Sequence, residues 1–256
     1  MKATALIVEK VSCLFYPTMK NARLLKKSLP TETEKAVIVR AMFDRIAPRY
    51  DVLNRVLSFR LDQRWRREAI TALALIPTDT VIDLACGTGD LSELAARTGA
   101  HVIGVDFAAN MLTGARGRQI RAEFVQADAT CLPFKTGKAT AMVSGFALRN
   151  FVSIAEVLKE AARVVTDGGR VVFLEVDTPR NVFLRLGHHL YFNYVVPFVG
   201  AVLSDTWAYS YLPRSTAYLP EPDALRQMFE AAGFCNVVRR QLSGGVAQLL
   251  IVQKQK

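Results

Sequence analysis

Between Thr80 and Val176 the chain alternates short β-rich runs with amphipathic stretches. Apolar and β-branched runs predict strands at Val81–Ala85, His101–Asp106, Ala122–Ala127, Ala139–Gly145 and Arg170–Val176. Between the last two, Ile154, Val157, Leu158, Ala161, Val164 and Val165 recur at helical spacing, and "TDGG" predicts the stop. Repeated βα units of this kind predict a parallel sheet covered by helices on both faces. The rhythm then changes. A predicted helix over Pro222–Ala232, closed by Gly233, precedes "NVVRRQL" and "VAQLLIVQK", which only "SGG" separates. So short a link permits a hairpin and no crossover, so these two strands run antiparallel to each other. The expected architecture is α/β, a seven-stranded and mostly parallel sheet with a C-terminal antiparallel hairpin. Residues 41–75 read as a helical preface and 180–220 as an insertion or cap, within one domain over 41–256 preceded by an extension over 1–40.

With 256 residues and 51% hydrophobic content, the chain can bury the core of one large domain. Its net charge of +10 is uneven: residues 1–70 hold 15 Lys and Arg against 7 Asp and Glu, and the remainder 18 against 16. A clustered positive field suits nucleic acid or an anionic membrane face, and charge alone does not choose between them. Four dispersed cysteines, Cys13, Cys86, Cys131 and Cys235, form no CxxC pair, so a reducing compartment and no structural metal are expected. The longest apolar stretch, Val182–Leu203, is interrupted by Arg185, His188, His189 and Asn193, so no membrane span is predicted. The first 30 residues carry one acid, Glu9, and no signal-peptide core, so secretion is not expected.

Chemistry concentrates after the first strand, in "TVIDLACGTGD". In an open parallel sheet the ligand lies beyond the carboxyl ends of the strands, near this turn. Gly87 and Gly89 permit close backbone approach there, but a dinucleotide fingerprint needs a third glycine where Ser92 stands. Asp83 precedes the loop, Asp106 ends the next strand where it can accept both ribose hydroxyls, and Asp128 with Ala129 follows the third strand, placed for an adenine amino group. An acid at 106 suits NAD as well as S-adenosylmethionine. So many acids oppose a pyrophosphate and favour a sulfonium cation, which makes S-adenosyl-L-methionine the better cofactor.

The stretches "MFDRIAPRYDVLNRVLSFRLDQRWRR", "DLACGTGDL", "GVDFAANML", "DATCLPF", "FALRN", "GGRVVFLE" and "LSGGVAQL" resemble the ubiquinone/menaquinone biosynthesis C-methyltransferase family from about Ala41 to Lys254. The resemblance implies the Rossmann-like class I fold of S-adenosylmethionine-dependent methyltransferases. It implies cofactor contacts at Thr88, Asp106 with the adjoining Phe107, Asp128, Ala129 and Ser144, beside Asp83, Gly87 and Gly89 of the loop. It places Tyr50, Asp51 and Asn54 on an N-terminal element closing over the cofactor, and Arg149 with Asn150 at the substrate ring, where they would stabilise a phenolate. The implied acceptor is a prenylated quinol or another apolar small molecule, drawn from a membrane by peripheral contact from the cytoplasmic side. Val182–Leu203 would line the entrance, and a basic helix over Arg55–Arg67 would meet anionic headgroups.

The departures fall at Arg60 and Ala147, where similar proteins carry glycine, at Leu250, where they carry His, and at Arg214, where they carry Glu. The last two are expected near the substrate end, which keeps a related methyltransferase with another lipid or aromatic acceptor open as an alternative. A nucleic acid methyltransferase is disfavoured because "SGFALRN" lacks the Pro-Pro-aromatic element of amino-directed enzymes. A binding module that keeps the fold without catalysis is the third alternative. His188 and His189 titrate in a usable range but stand in an apolar stretch, and no general base is assigned. Oligomeric state leaves no mark in the sequence.

Overall fold

Seven strands form one sheet in the computed structural model, which describes residues 32–196, 211 and 214–256. They are β1 Thr80–Leu84, β2 His101–Asp106, β3 Glu123–Gln126, β4 Ala139–Gly145, β5 Val165–Val176, β6 Phe234–Leu242 and β7 Ala247–Lys254. Their spatial order is β3-β2-β1-β4-β5-β7-β6, with β1 to β5 parallel and β7 antiparallel to both β5 and β6. The order reverses between β1 and β4, which opens a crevice at the carboxyl ends of the strands. The hairpin expected from "SGG" is present, and β7 inserts between its partner and the parallel half.

Both faces of the sheet are covered. Ile82, Met142 and Phe173 pack with α6 (Ile154–Val164) and α8 (Pro222–Ala231), while Val81, Val143 and Leu249 pack with α3 (Leu61–Leu73) and α4 (Asp90–Ala96). The "TDGG" run differs from expectation. Helix α6 does end there, but β5 already begins at Val165, and a register shift opposite Ala139–Ala141 absorbs Thr166–Gly169 as a bulge in the strand.

The preface begins earlier than the boundary expected at Ala41. Helix α1 (Glu32–Ile46) buries Val39, Met42 and Ile46 against Leu53, Leu57 and Met111 of α5 (Ala109–Gly117), so its apolar face belongs to the core. The single basic helix expected over Arg55–Arg67 is two helices, α2 (Tyr50–Leu57) and α3, broken at Ser58–Arg60. Their arginines do not form one basic face: Arg55 leans on Asp90, and Arg66 is buried between Asp62 and Asp90. Arg64 and Arg67 remain outside.

The break explains one departure. Phe59 and Arg60 adopt φ of 51° and 63°, the left-handed region that glycine enters without penalty. Arg60's exposed side chain makes no ion pair or hydrogen bond among the described residues. Arg60→Gly should therefore raise stability by about 1 kcal/mol, read from urea denaturation midpoints. A lower midpoint would show that the arginine side chain contributes more than the strain removes. Ala147, at φ −109°, needs no glycine.

Candidate active site

Two cavities meet at the carboxyl ends of β1, β2 and β4. The smaller, about 290 Å³, is lined by Gly87, Asp106, Phe107, Met111, Asp128 and Ala129, among others. The larger, about 430 Å³, is walled by the preface and by α7 (Val182–Leu190), chiefly with Met42, Leu57, Phe59, Trp65, Phe183 and Phe192. Phe43, Tyr50, Phe146 and Asn150 line both and form the partition. Phe146, directly after β4, holds φ at 60°, a strained value for an aromatic residue that marks a functional turn.

The glycine loop is built from the bottom of β1. Gly87 adopts φ +56°, and a Cβ placed there would have only Met111 Sδ near it, at 4.0 Å, so the missing side chain leaves open cleft. The Gly87 N–H donates to Asp106 Oδ2 at 2.8 Å, and the Ala108 N–H donates to Oδ1 at 2.9 Å, fixing the carboxylate at the end of β2. Burial raises the Asp106 pKa against these backbone bonds. Asp128 Oδ1 accepts from both the N–H and the hydroxyl of Thr130, at 2.8 and 2.7 Å. The titratable lining of this cleft among the described residues is Asp106, Asp128, Glu156 and Tyr50, with no Lys or Arg. Such a cleft suits a cationic adenosine cofactor and opposes a pyrophosphate, so the residues present fit S-adenosylmethionine.

Four expected contacts stand behind the wall of this cleft instead of in it. Asp83 is fully buried within β1 and accepts the Ser92 hydroxyl at 2.6 Å, so the residue in the place of a third glycine anchors the acid beneath the loop. Ser144 donates to the Leu84 carbonyl at 2.7 Å, tying β4 to β1. Thr88 donates to Asp51 at 2.6 Å and so clasps α2 onto the loop. Gly89 caps α4 at φ +89°, where a Cβ would meet Ile120 Cδ1 at 2.7 Å. Arg118 extends the clasp by donating to the Thr88 carbonyl, Asp90 and Glu93.

At the substrate end the structure separates Arg149 from Asn150. Both line the large cavity, but Arg149 is buried and committed: its guanidinium pairs with fully buried Glu175 and donates to Ser215 and the Phe146 carbonyl. A guanidinium paired in this way braces the wall of the large cavity, which it still lines. Asn150 donates from Nδ2 to the Phe146 carbonyl at 3.2 Å, leaving Oδ1 buried with no partner at the partition. Burial raises the pKa of the Tyr50 phenol, an effect that the nearby Arg66 charge only partly reverses. His188 lines the large cavity against the Phe192 ring at 4.3 Å, with Nε2 buried and unpartnered, and burial lowers its pKa. The entrance stretch is described only to Val196; residues 197–203 lie outside the described residues.

One of the departures expected near the substrate end lies elsewhere. Leu250 lies buried in β7 between Phe173 and Arg239, within the core under α6 and α8 and in neither cavity lining, so it is not a substrate-end residue. Arg214 is half-buried beside Tyr218, whose pKa its charge lowers against the larger effect of burial. The sequence reading missed Phe43, Phe146 and Arg66 as site residues. Only the place of Phe146 after the fourth strand could have signalled one of them.

The strand order, the reversal between β1 and β4 and the acidic glycine-loop cleft define a class I S-adenosylmethionine-dependent methyltransferase. Solved structures agree on the fold: an S-adenosylmethionine-dependent methyltransferase from Thermotoga maritima matches with TM-score 0.60 at 20% identity, over 84% of this chain and 99% of that one. Another from Aquifex aeolicus matches with TM-score 0.54 at 11% identity, over 74% and 89%. The model of the ubiE/COQ5 methyltransferase family matches residues 30–254, and the chain belongs to that family. The demethylmenaquinone methyltransferase of Thermus thermophilus is 43% identical over 215 residues, 81% of this chain and 97% of that protein. The ubiquinone/menaquinone biosynthesis C-methyltransferase UbiE of Geotalea daltonii is 38% identical over 87% of this chain and 98% of that protein.

Proposed function

We propose that the chain methylates a ring carbon of a prenylated quinol of the demethylmenaquinol type. The observation that carries this reading is the pair of cavities: an acidic cleft for the cofactor and an apolar one beside it, sharing a partition of Phe43, Tyr50, Phe146 and Asn150. The names of the most similar relatives point the same way. With Leu250 in the core, one of the two departures that favoured another acceptor loses its force, and Arg214 is the one that remains.

S-adenosylmethionine, when bound, supplies a methyl group made electrophilic by a sulfonium centre. Asp106 would accept the ribose hydroxyls, while Asp128 with Ala129 would receive the adenine, flanked by Phe107. Tyr50 and the Phe146 turn hold the acceptor ring against the cleft, and Asn150 Oδ1 accepts a hydrogen bond from its hydroxyl. The apolar walls exclude water, so alignment supplies most of the rate.

Asp106→Ala should weaken S-adenosylmethionine binding by roughly tenfold to a hundredfold, the worth of charge-assisted hydrogen bonds. Calorimetric titration of the folded variant measures it; unchanged affinity would remove Asp106 from the ribose. The reaction is tested with methyl-labelled S-adenosylmethionine and reduced short-chain demethylmenaquinol, with the matching benzoquinol in parallel, read by mass spectrometry. A ring-methylated naphthoquinol is expected. No product from either ring, with cofactor binding intact, would overturn the reading.

The acceptor's tail implies delivery from a bilayer. No helix among the described residues is long and apolar enough to cross a membrane. Helix α7 buries none of its residues and exposes Phe183 (85%), Val182 (63%) and Leu186 (59%) beside the apolar cavity, a form that suits lying in the membrane interface. Phe183→Asp combined with Leu186→Asp should reduce cosedimentation with anionic vesicles at least about tenfold. Equal sedimentation would refute the contact.

A further inference from the structure

Among the described residues, one buried cation of the site makes no hydrogen bond, and it lines the apolar cavity. Arg66, on α3, is 6% exposed and lines that cavity. Its Nε stands 3.7 Å from Asp62 Oδ2 and 3.5 Å from Asp90 Oδ2 and is buried without a hydrogen-bond partner. The two carboxylates are engaged elsewhere. Asp62 accepts from the Ser58 hydroxyl at 2.7 Å and Gln63 at 3.1 Å; Asp90 accepts from Arg118 at 2.6 Å and Gln63 at 3.1 Å. Arg66 therefore keeps the Coulombic support of two acids without a hydrogen bond to either among the described residues.

The guanidinium also stands where the two cavities join. It lies 5.3 Å from the centre of the Phe146 ring, part of the partition. A Cβ built on Gly145, which lines the cofactor cleft, would come within 3.4 Å of Arg66 Nη1. Its charge is felt by the Tyr50 hydroxyl. Unsatisfied donors in a buried site are costly, and an arginine held this way is matched by an oxygen that carries negative charge. Arg149, the other arginine of the cavity, is already neutralised by Glu175.

We propose that Arg66 binds the hydroxyl oxygen of the aromatic acceptor and stabilises its ionised form. The assignment rests on the aromatic-acceptor reading above. The hydroxyl proton leaves to bulk water, Arg66 stays protonated throughout, and the phenolate electron pair activates the ring carbon that forms the new carbon–carbon bond. That bond replaces the carbon–sulfur bond, whose pair returns to sulfur, and the ring carbon then releases its own proton to bulk water as well, restoring aromaticity. Asn150 is the complementary acceptor while the hydroxyl is still protonated.

The test uses the full chain and a chromophoric stand-in, 2-hexyl-4-nitrophenol, titrated by absorbance when bound. Wild type should lower the bound phenol's pKa by about one unit or more. Arg66→Met should return it to the free value or above, and Arg66→Lys should restore part of the shift. The double variant Arg66→Met with Asp62→Asn removes charge and counter-charge together, which keeps the measurement possible if the single variant does not fold. In methyl transfer, the rising limb of the kcat–pH profile should move up by a similar amount in Arg66→Met, with KM for S-adenosylmethionine unchanged. Equal phenol pKa values in wild type and the Met variants, or no phenol binding, would overturn the proposal; so would lost cofactor binding, the sign of a structural role alone. Quinol methylated by a wild type that leaves the phenol unshifted would refute Arg66 and keep the quinol reading. A shifted phenol with neither quinol methylated would do the reverse.

Discussion

Arg149→Met should destabilise the protein by about 3–5 kcal/mol, the cost of leaving a buried charge without its partner. Glu175 is fully buried on β5, its carboxylate held by the Arg149 side chain and by the N–H groups of Arg149 and Val176. Taking away the guanidinium strands that carboxylate and also releases Ser215 and the Phe146 carbonyl. Adding Glu175→Gln to the same variant should recover most of the loss, because no uncompensated charge then remains. Denaturation midpoints of the three proteins decide the matter. If Arg149→Met alone unfolds where wild type does, the pair is not what holds the Phe146 turn. If the variant is destabilised as expected, any loss of activity in it comes from a displaced partition and not from a missing phenolate partner.

The second large effect concerns pH. Burial pushes the Asp83 carboxyl up to about 7, and the Ser92 hydroxyl and the Arg66 charge offset that burial only in part. Below about pH 4 the group is protonated whether the chain is folded or not. From there to about pH 7 the folded chain holds the proton more tightly than the unfolded one. Stability therefore falls as pH rises through this window, at up to about 1.4 kcal/mol per unit, and levels off above it. Asp83→Asn should flatten that slope and make the protein on the order of 2–4 kcal/mol more stable than wild type at pH 8. Asp90 has the opposite sign: Arg66, Arg118 and Arg55 outweigh its burial and hold its pKa low, so its contribution is lost only in more acidic solution. Urea denaturation at pH 4.5, 6 and 8 separates the two, and parallel curves for wild type and Asp83→Asn would refute the assignment.

Local pattern sufficed for much of the fold. The period-two runs, the loop after β1 and the short "SGG" link fixed the strand types and the hairpin, because turn length and alternation are short-range constraints. The acid at the end of β2 was equally legible as a cleft residue, since that position in a βα unit faces the crevice beyond the strand ends. The same rule failed for Ser144, whose hydroxyl is consumed by a carbonyl on the neighbouring strand.

By itself, then, the sequence determined the sheet, the glycine loop, the acids that favour a sulfonium cofactor and the resemblance to its family. Only the tertiary structure decided which charges are free to act. Arg149 and Glu175 lie far apart along the chain, as do Arg66 and Asp90, and what a charged side chain can do depends on the partners folding brings to it. Pairing of that kind leaves no periodic trace, so the sequence pointed to Arg149 as the cation facing the substrate, whereas the fold hydrogen-bonds Arg149 to Glu175 and sets Arg66, ion-paired with Asp62 and Asp90, in the wall of the same cavity.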